Sequence, residues 1–311
     1  MVTNLKSLCT VVLPTFFPGD EIFNNLESIP SELQVLVIDN SYDNRLEEKL
    51  KNYKQCVYFN IGDVGLSKTF NFALNKIQTP YALITQPDVT LRENCIQNLL
   101  VGFNKYKDAG FVVPIVYDNG TYSKYDFYDF KYSKKKRIIK DNKNKNKNKN
   151  NLIPSGNFCV DAVNSTTIMF KTDTLKNIGG WDENIYAYFE DMDISLRLVL
   201  KKYSIIKIVN AIVDHKGWSS HYNSINDTMN ITRIWHFTWG GMYFKNKYCR
   251  KSDVIYELVR KILKLLLKNL FHILTFNYRK LKINKVKLSA YYSFIMKKGS
   301  YFRVKHNVEK N

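Results

Sequence analysis

Along its first hundred residues the chain alternates between short apolar runs and stretches with helical spacing. Residues 7–13 (SLCTVVL) form an apolar run ended by Pro14, which predicts a buried strand. Residues 20–29 place Ile22, Phe23, Leu26 and Ile29 at helical spacing. Residues 34–38 (QVLVI) predict a second buried strand, stopped by the turn-forming run Asp39-Asn40-Ser41-Tyr42-Asp43-Asn44. A helix over 46–53 and a third strand over 56–60 follow. After a loop at 62–65, Ser67 is placed to cap a helix through Phe70, Leu74 and Ile77, and 81–85 is a fourth strand. The strands are apolar throughout rather than alternating, so they are expected to be buried on both faces. Interleaved with helices, they predict an α/β fold: a mixed, mainly parallel sheet flanked by helices.

The same reading continues from residue 152. Residues 163–170 (VNSTTIMF) predict a strand, 173–178 a short helix, and Gly179-Gly180 a turn. Helical periodicity starts at Asp191 and runs through Ile194, Leu198 and Val199; 204–213 reads as a strand ending at Asp214-His215. Residues 254–276 place Ile255, Leu258, Val259, Ile262, Leu266 and Ile273 near helical spacing, with Lys261, Lys264 and Lys268 on the opposite arc. Uncharged runs there reach only about ten residues, so this helix can lie on a membrane, or pack with a solvated basic face, but cannot cross a bilayer. Domain limits are expected at 1–250 for the α/β domain and 251–311 for a basic helical region.

Composition adds limits. With 45% apolar residues in a 311-residue chain, disorder is excluded. The net charge of +19 is unevenly placed. Residues 1–100 carry 8 Lys/Arg against 11 Asp/Glu, 101–250 carry 24 against 14, and 251–311 carry 15 against 3. Within the middle third, 131–150 holds 10 Lys/Arg and one acid in a KN-rich, low-complexity stretch. That composition predicts a mobile surface loop, either an incidental insertion or a basic flap over an anionic ligand or membrane. Five unpatterned cysteines suggest neither a disulfide framework nor a metal knuckle, and favour a reducing compartment. The apolar start is too short and too broken by Pro14 for a secretion signal, so the sequons at Asn119, Asn164, Asn226 and Asn230 carry no weight.

Functional residues in parallel sheets gather at the carboxyl ends of strands. Three strands end in candidates: Pro14-Thr15, Asp39-Asn40-Ser41 and Gln86-Pro87-Asp88. Further on stand Glu190-Asp191-Met192-Asp193, which by itself reads as a solvated helix start, and His215 at another strand end. With GDVGLSKTFNFAL (62–74) and IGGWDENIYAYFEDMDISLRL (178–198) between them, this ordered set resembles the family 2 glycosyltransferases of the GT-A fold. Within that family it is most similar to rhamnosyltransferase-like enzymes of bacterial surface polysaccharides, over about residues 8–245.

The resemblance implies roles. Asp191 would be the general base of an inverting transfer, and Glu190 and Trp181 would border the acceptor. Pro14, Thr15, Asp39, Asn40, Gly65, Ser67, Gln86 and Asp88 would surround a UDP- or dTDP-sugar, dTDP-rhamnose among them. Asp39 would take a pyrimidine imide N–H, a group common to uracil and thymine. A divalent cation, Mn²⁺ or Mg²⁺, would be held by Asp88 and His215. The family's Asp-x-Asp element is here Gln86-Pro87-Asp88, so its first carboxylate is missing. Asp193 and Arg197 suit a helical i,i+4 pair, and Asn71 suits helix packing. The acceptor would be a glycan or a lipid-diphosphate-linked one, met at the cytoplasmic face of an inner membrane that the basic C-terminal helix touches.

The competing reading is a non-catalytic basic protein binding nucleic acid or nucleotides. The basic segments lack RNP, zinc-finger or helix-turn-helix signatures, so no nucleic-acid partner is expected. A dinucleotide-dependent oxidoreductase fits worse still, because the first strand leads into PTFFPG rather than a G-x-G-x-x-G turn.

Overall fold

The computed structural model describes residues 4–42, 45–123, 127–128, 130–131, 140–141, 154–217 and 220–304. The elements begin α1 (Leu5–Leu8), β1 (Cys9–Thr15), α2 (Glu21–Ser28), β2 (Val35–Asp39), α3 (Arg45–Leu50), β3 (Cys56–Asn60), α4 (Leu66–Lys76) and β4 (Tyr81–Thr85). Next come β5 (Val89–Leu91), α5 (Cys95–Lys105), β6 (Ala109–Asp118), β7 (Thr121–Tyr122), β8 (Phe127–Tyr128), β9 (Phe130–Lys131) and β10 (Lys140–Asp141). The rest are β11 (Phe158–Val160), β12 (Ala162–Val163), β13 (Thr167–Lys171), α6 (Thr172–Asn177), α7 (Glu190–Leu200), β14 (Ser204–His215), α8 (Asn226–Tyr248), α9 (Lys251–Leu274) and α10 (Tyr278–Ile295).

Packing divides the chain into two units. The first comprises Met1–Asp129, Asn142–Asp182 and Asp191–Asn223; the second comprises Phe130–Asp141, Glu183–Glu190 and Ser224–Asn311. A boundary at residue 250 therefore falls inside the second unit, between α8 and α9.

In the first unit the sheet runs β11-β14-β6-β13-β4-β1-β2-β3, with β5 on β14 and β7 on β6. The stretch β4-β1-β2-β3 is parallel, and so is β14 with β6, whereas β13 is antiparallel to both β4 and β6. This is the mixed, mainly parallel sheet expected. Val11, Leu13, Val35 and Val37 pack with Ile22 and Leu26 of α2 on one face; Val12, Leu36 and Ile38 pack with Phe70 and Leu74 of α4 on the other. Burying each such side chain contributes about 1.5–3 kcal/mol, which is why Val11–Leu13 and Val35–Ile38 are apolar without a break. The edge strand β3 is only partly buried.

Three local expectations change. Pro14 does not end the first strand but lies inside it, opposite Ile38. Val11 N–H donates to Gln34 O and Asn40 N–H to Thr15 O, so odd residues of β1 bond toward β2. Pro14 faces the β4 side beyond the last pair, Val12 with Ile84, where no strand N–H is needed. Ser67 is not the cap of α4: it is the second helical residue and fully buried, and Gly65, at φ +85°, holds the capping position that a side chain would strain. The strand read over 163–170 is broken into β12 and β13 by residues 164–166. The KN-rich stretch lies outside the described residues except for positions 131 and 140–141, which pair as β9 with β10.

In the second unit Met242 of α8, Val254, Leu258 and Leu265 of α9 and Tyr291 of α10 form one core. Trp235, Trp239 and Ala290 form another. No single apolar stripe marks α8, because Thr232, His236 and Gly240 are buried alongside its Trp and Phe residues. His236 is fully buried and lies 2.7 Å from Ser300 Oγ and 2.8 Å from Phe302 O. Burial pushes its pKa down to about 3, so it stays neutral.

Within the same unit α8 meets the segment Glu183–Glu190. Tyr186 stacks on His236 at 4.4 Å, and Arg233 Nε donates to Tyr188 Oη at 2.9 Å. Tyr188 (φ +65°) and Phe189 (φ +74°) are consecutive left-handed residues, a conformation costing about 1–3 kcal/mol each. Gly240 lets this turn approach: a Cβ there would stand 2.9 Å from Tyr188 O. Alanine gains about 1 kcal/mol of helix propensity, but overpacking against an immovable backbone oxygen costs about 1–3. Gly240→Ala should therefore lower the thermal unfolding midpoint. Gly241→Ala, opposed at 3.1 Å by a ring edge of Phe189 that can shift, should lower it less. A Gly240→Ala protein at or above the parent midpoint would contradict this account of the turn.

Candidate active site

The carboxyl ends of β1 and β2 form a corner knit by hydrogen bonds. Asp39 is 1% exposed. Its Oδ1 accepts from Thr15 Oγ1 (3.0 Å), Ser41 Oγ (2.6 Å) and Ser41 N–H (2.9 Å), and its Oδ2 from Tyr58 Oη (2.9 Å). Asn40 is likewise engaged: Nδ2 donates to Thr15 O at 3.3 Å, and Oδ1 accepts from Thr69 Oγ1 at 2.8 Å. Both side chains thus hold the loop geometry, and Asp39 Oδ2, with the single donor Tyr58, keeps acceptor capacity for a further N–H. Gly65 lies beside this corner, its carbonyl 2.9 Å from Thr69 Oγ1, whereas Ser67 Oγ is buried without a hydrogen-bond partner.

The Gln86-Pro87-Asp88 turn after β4 is held from below by a residue the sequence reading passed over. Asn25 of α2 is fully buried, and its Nδ2 lies 2.6 Å from Val89 O and 3.1 Å from Gln86 O. The signal was present: Asn25 shares the helical stripe of Ile22, Leu26 and Ile29, and a polar residue on an apolar stripe needs a partner.

Strand register then brings three acid and imidazole groups together. Asp88 immediately precedes β5, whose Val89 faces His215 of β14, while Asp118 of β6 faces His215 from the other side. His215 Nδ1 lies 2.7 Å from Asp118 Oδ1, and Nε2 lies 3.6 Å from Asp88 Oδ2. Asp118 therefore fixes the ring so that Nε2 and Asp88 present adjacent donor atoms. Next door Arg92 clasps Asp214 through two 2.7 Å bonds, which locks β5 to β14. Among the described residues no three His, Cys, Asp or Glu side chains cluster as a closed metal site. The pair Asp88 and His215 suits instead a cation that completes its shell with ligand oxygens.

Asp191 stands in the first turn of α7 and accepts from Met192 N–H at 2.7 Å and from Ser165 N–H. Burial pushes its carboxyl up to about 6, against the lowering effect of these backbone donors. The carbonyl of the same Ser165 lies 3.4 Å from Gln86 Nε2, and Gln86 N–H donates to Thr166 O at 3.1 Å. The break between β12 and β13 thus joins Asp191 to the Gln86–Asp88 turn. The acidic run is no solvated helix start: Glu190 is 3% exposed, and Asp193 is fully buried against Arg197 at 2.8 Å.

Trp181 requires a correction. Its ring is 3% exposed and packs between Phe70 (5.0 Å) and Phe170 (5.8 Å), so it offers an acceptor no face. Asn71 pairs with both backbone groups of Trp181, at 2.8 and 2.9 Å, and together they anchor the turn before α7.

The glycosyl transferase family 2 model matches residues 10–162, the span that carries β1 through β12 and the corner just described. The chain carries a family 2 glycosyltransferase domain. Its fold is similar to that of GalNAc-T7, solved with UDP, GalNAc and Mn²⁺ (TM-score 0.56, 14% identity, 79% of this chain and 53% of that one). It is also similar to the mannosyltransferase PcManGT from Pyrobaculum calidifontis, solved with GDP-Man and Mn²⁺ (TM-score 0.55, 12% identity, 93% and 87%). The chain spans about half the length of GalNAc-T7, and at these identities the likeness is one of fold, the GT-A type. No curated protein matches the chain in sequence.

In the family 2 domain Asn25 is the residue whose loss should most disturb the Gln86–Asp88 turn without touching it chemically. Asn25→Ala takes the side-chain donor from the buried Val89 carbonyl and leaves Gln86 O with only the Val89 N–H, at a cost of about 1–3 kcal/mol. Urea denaturation should show that loss, and a stability within error of the parent would refute the clamp.

Proposed function

We propose that the protein is an inverting glycosyltransferase, moving a sugar from a nucleoside diphosphate to a hydroxyl of a glycan or lipid-linked acceptor. The observation that carries this reading is the link through Ser165 between a carboxylate suited to general-base work and a turn suited to hold a diphosphate-bound cation. In the reaction Asp191 takes the acceptor hydroxyl proton as the oxygen attacks the anomeric carbon. The bond from that carbon to the β-phosphate oxygen breaks with its electron pair, and the nucleoside diphosphate leaves from the opposite face. Asp88 Oδ2 and His215 Nε2 would hold a divalent cation, whose contribution when bound is to neutralise charge growing on the departing diphosphate. The Mn²⁺ and nucleotides in the GalNAc-T7 and PcManGT structures support this assignment. Thr15, Asn40 and Gly65 border the donor, which the resemblance makes a UDP- or dTDP-sugar, dTDP-rhamnose among the candidates. The product would belong to lipopolysaccharide or capsule assembly.

A base must be ionised to accept a proton. Because the Asp191 carboxyl is raised, to about 6, turnover should be complete above that pH and fall about tenfold per unit below it. Asp191→Asn should lower kcat by about 10²–10⁴ while leaving donor binding intact. Transfer at the parent rate by that variant, read from released nucleoside diphosphate, would remove Asp191 from the base role.

Chelation by EDTA should abolish transfer, and added Mn²⁺ should restore it. Asp118→Asn should then raise the Mn²⁺ concentration for half-maximal activity by about 10–100-fold, since it frees the His215 ring without removing a ligand. Activity indifferent to EDTA would exclude the cation at Asp88 and His215.

A further inference from the structure

We propose that the outward face of α9 is a docking surface for an anionic lipid bilayer, on which the helix lies without crossing. α9 is 24 residues long and already uses one arc for the second unit's core, burying Val254, Leu258, Leu265 and His272. With successive residues about 100° apart, a second apolar arc about 120° wide runs along its other side. Ile255, Val259, Leu263, Leu266, Leu270 and Leu274 mark this arc, each between 47% and 78% exposed. Ser252 is its one polar member. A helix on a water-facing surface normally carries charge there; α9 carries leucine.

The apolar arc alone fits lipid or a second helix, and charge decides between them. Lys251 and Arg260 are exposed at the two borders of the arc with Lys264 one step beyond Arg260, and residues 251–311 hold 15 Lys/Arg against 3 Asp/Glu. Two copies facing one another through this surface would set like charges together, whereas anionic headgroups would neutralise them as the leucines enter the acyl boundary. Exposed Phe271, Phe276 and Tyr278 at the end of the arc suit the headgroup level. The helix cannot span instead: residues 251–274 include seven charged side chains, and no described helix is long and apolar enough to cross a membrane.

The proposal does not rest on the catalytic reading, and its test does not require turnover. The full chain is sedimented with phosphatidylcholine vesicles, and with vesicles of phosphatidylcholine and phosphatidylglycerol in equal parts. Expected is binding to the mixed vesicles that weakens with salt. The triple variant Leu263→Glu, Leu267→Glu, Leu270→Glu should weaken it by about tenfold or more, with an unchanged circular dichroism spectrum. Arg260→Gln with Lys264→Gln should cost about fivefold per charge on mixed vesicles and little on neutral ones. Asp191→Asn should sediment as the parent does, whether or not Asp191 is the base. Equal sedimentation of the triple-Glu variant and the parent would overturn the proposal. So would light scattering in which these leucines hold two copies together in the absence of lipid.

Discussion

Ser165 accepts the Gln86 side chain through its carbonyl and donates its N–H to the Asp191 carboxylate, and the arrangement of the site follows from that double use. A backbone group can serve two loops only where the chain has left its strand, because inside a sheet both its N–H and C=O are taken by the ladder. Residues 164–166 leave the ladder between β12 and β13, and Thr166 adds its own carbonyl to Gln86 N–H. On the proposed in-line displacement, the distance between Asp191 and the Gln86–Asp88 turn would matter at the ångström level. A backbone joint fixes that distance more tightly than two long side chains would.

Polar burial supports the same geometry from the other strand ends. Asp39, Asn40 and Asn25 are each under 5% exposed, and an unpaired buried group of that kind costs about 1–3 kcal/mol. Asp39 meets this with four donors and Asn40 by bridging Thr15 to Thr69. These residues sit where ligand-binding residues are expected, and their chemistry is spent first on holding the loops. The tools of binding and of folding are the same atoms here, so a strand-end aspartate seen in sequence does not reveal which task it serves.

The central strands of the parallel half were legible because burial on both faces demands unbroken apolar runs, and β4 falls at the residues read for it; the edge strand β3, only partly buried, does so too. The strand-end candidates Asp88 and His215 do come together, since register alone places one beside the other. Asp118 was not legible: it lies 97 residues from His215 and enters only through the parallel pairing of β6 with β14. Trp181 misled for the opposite reason. The resemblance put it beside the acceptor, but its neighbours Phe70 and Phe170 come from distant elements that sequence does not place. α8 escaped notice because its buried face mixes Trp and Phe with Thr, His and Gly, which erases the periodic stripe.

The placement of charge bears on how a diphosphate would be neutralised. The corner formed by β1, β2 and β4 belongs to the acidic first hundred residues, and two basic groups beside the elements around Asp88 are paired with carboxylates. Arg92 is held by Asp214, and Lys216 by Glu21. Recruiting either for a phosphate would break a pair that ties β5 to β14 or β14's end to α2. A divalent ion between Asp88 Oδ2 and His215 Nε2 would supply that charge without dismantling the scaffold. The Asp118 contact to Nδ1 has a purpose on that account, because it presents Nε2 as a lone-pair donor rather than as a second N–H. The lysines and arginines that give the chain its net +19 are concentrated elsewhere in the sequence, in the KN-rich stretch and after residue 250.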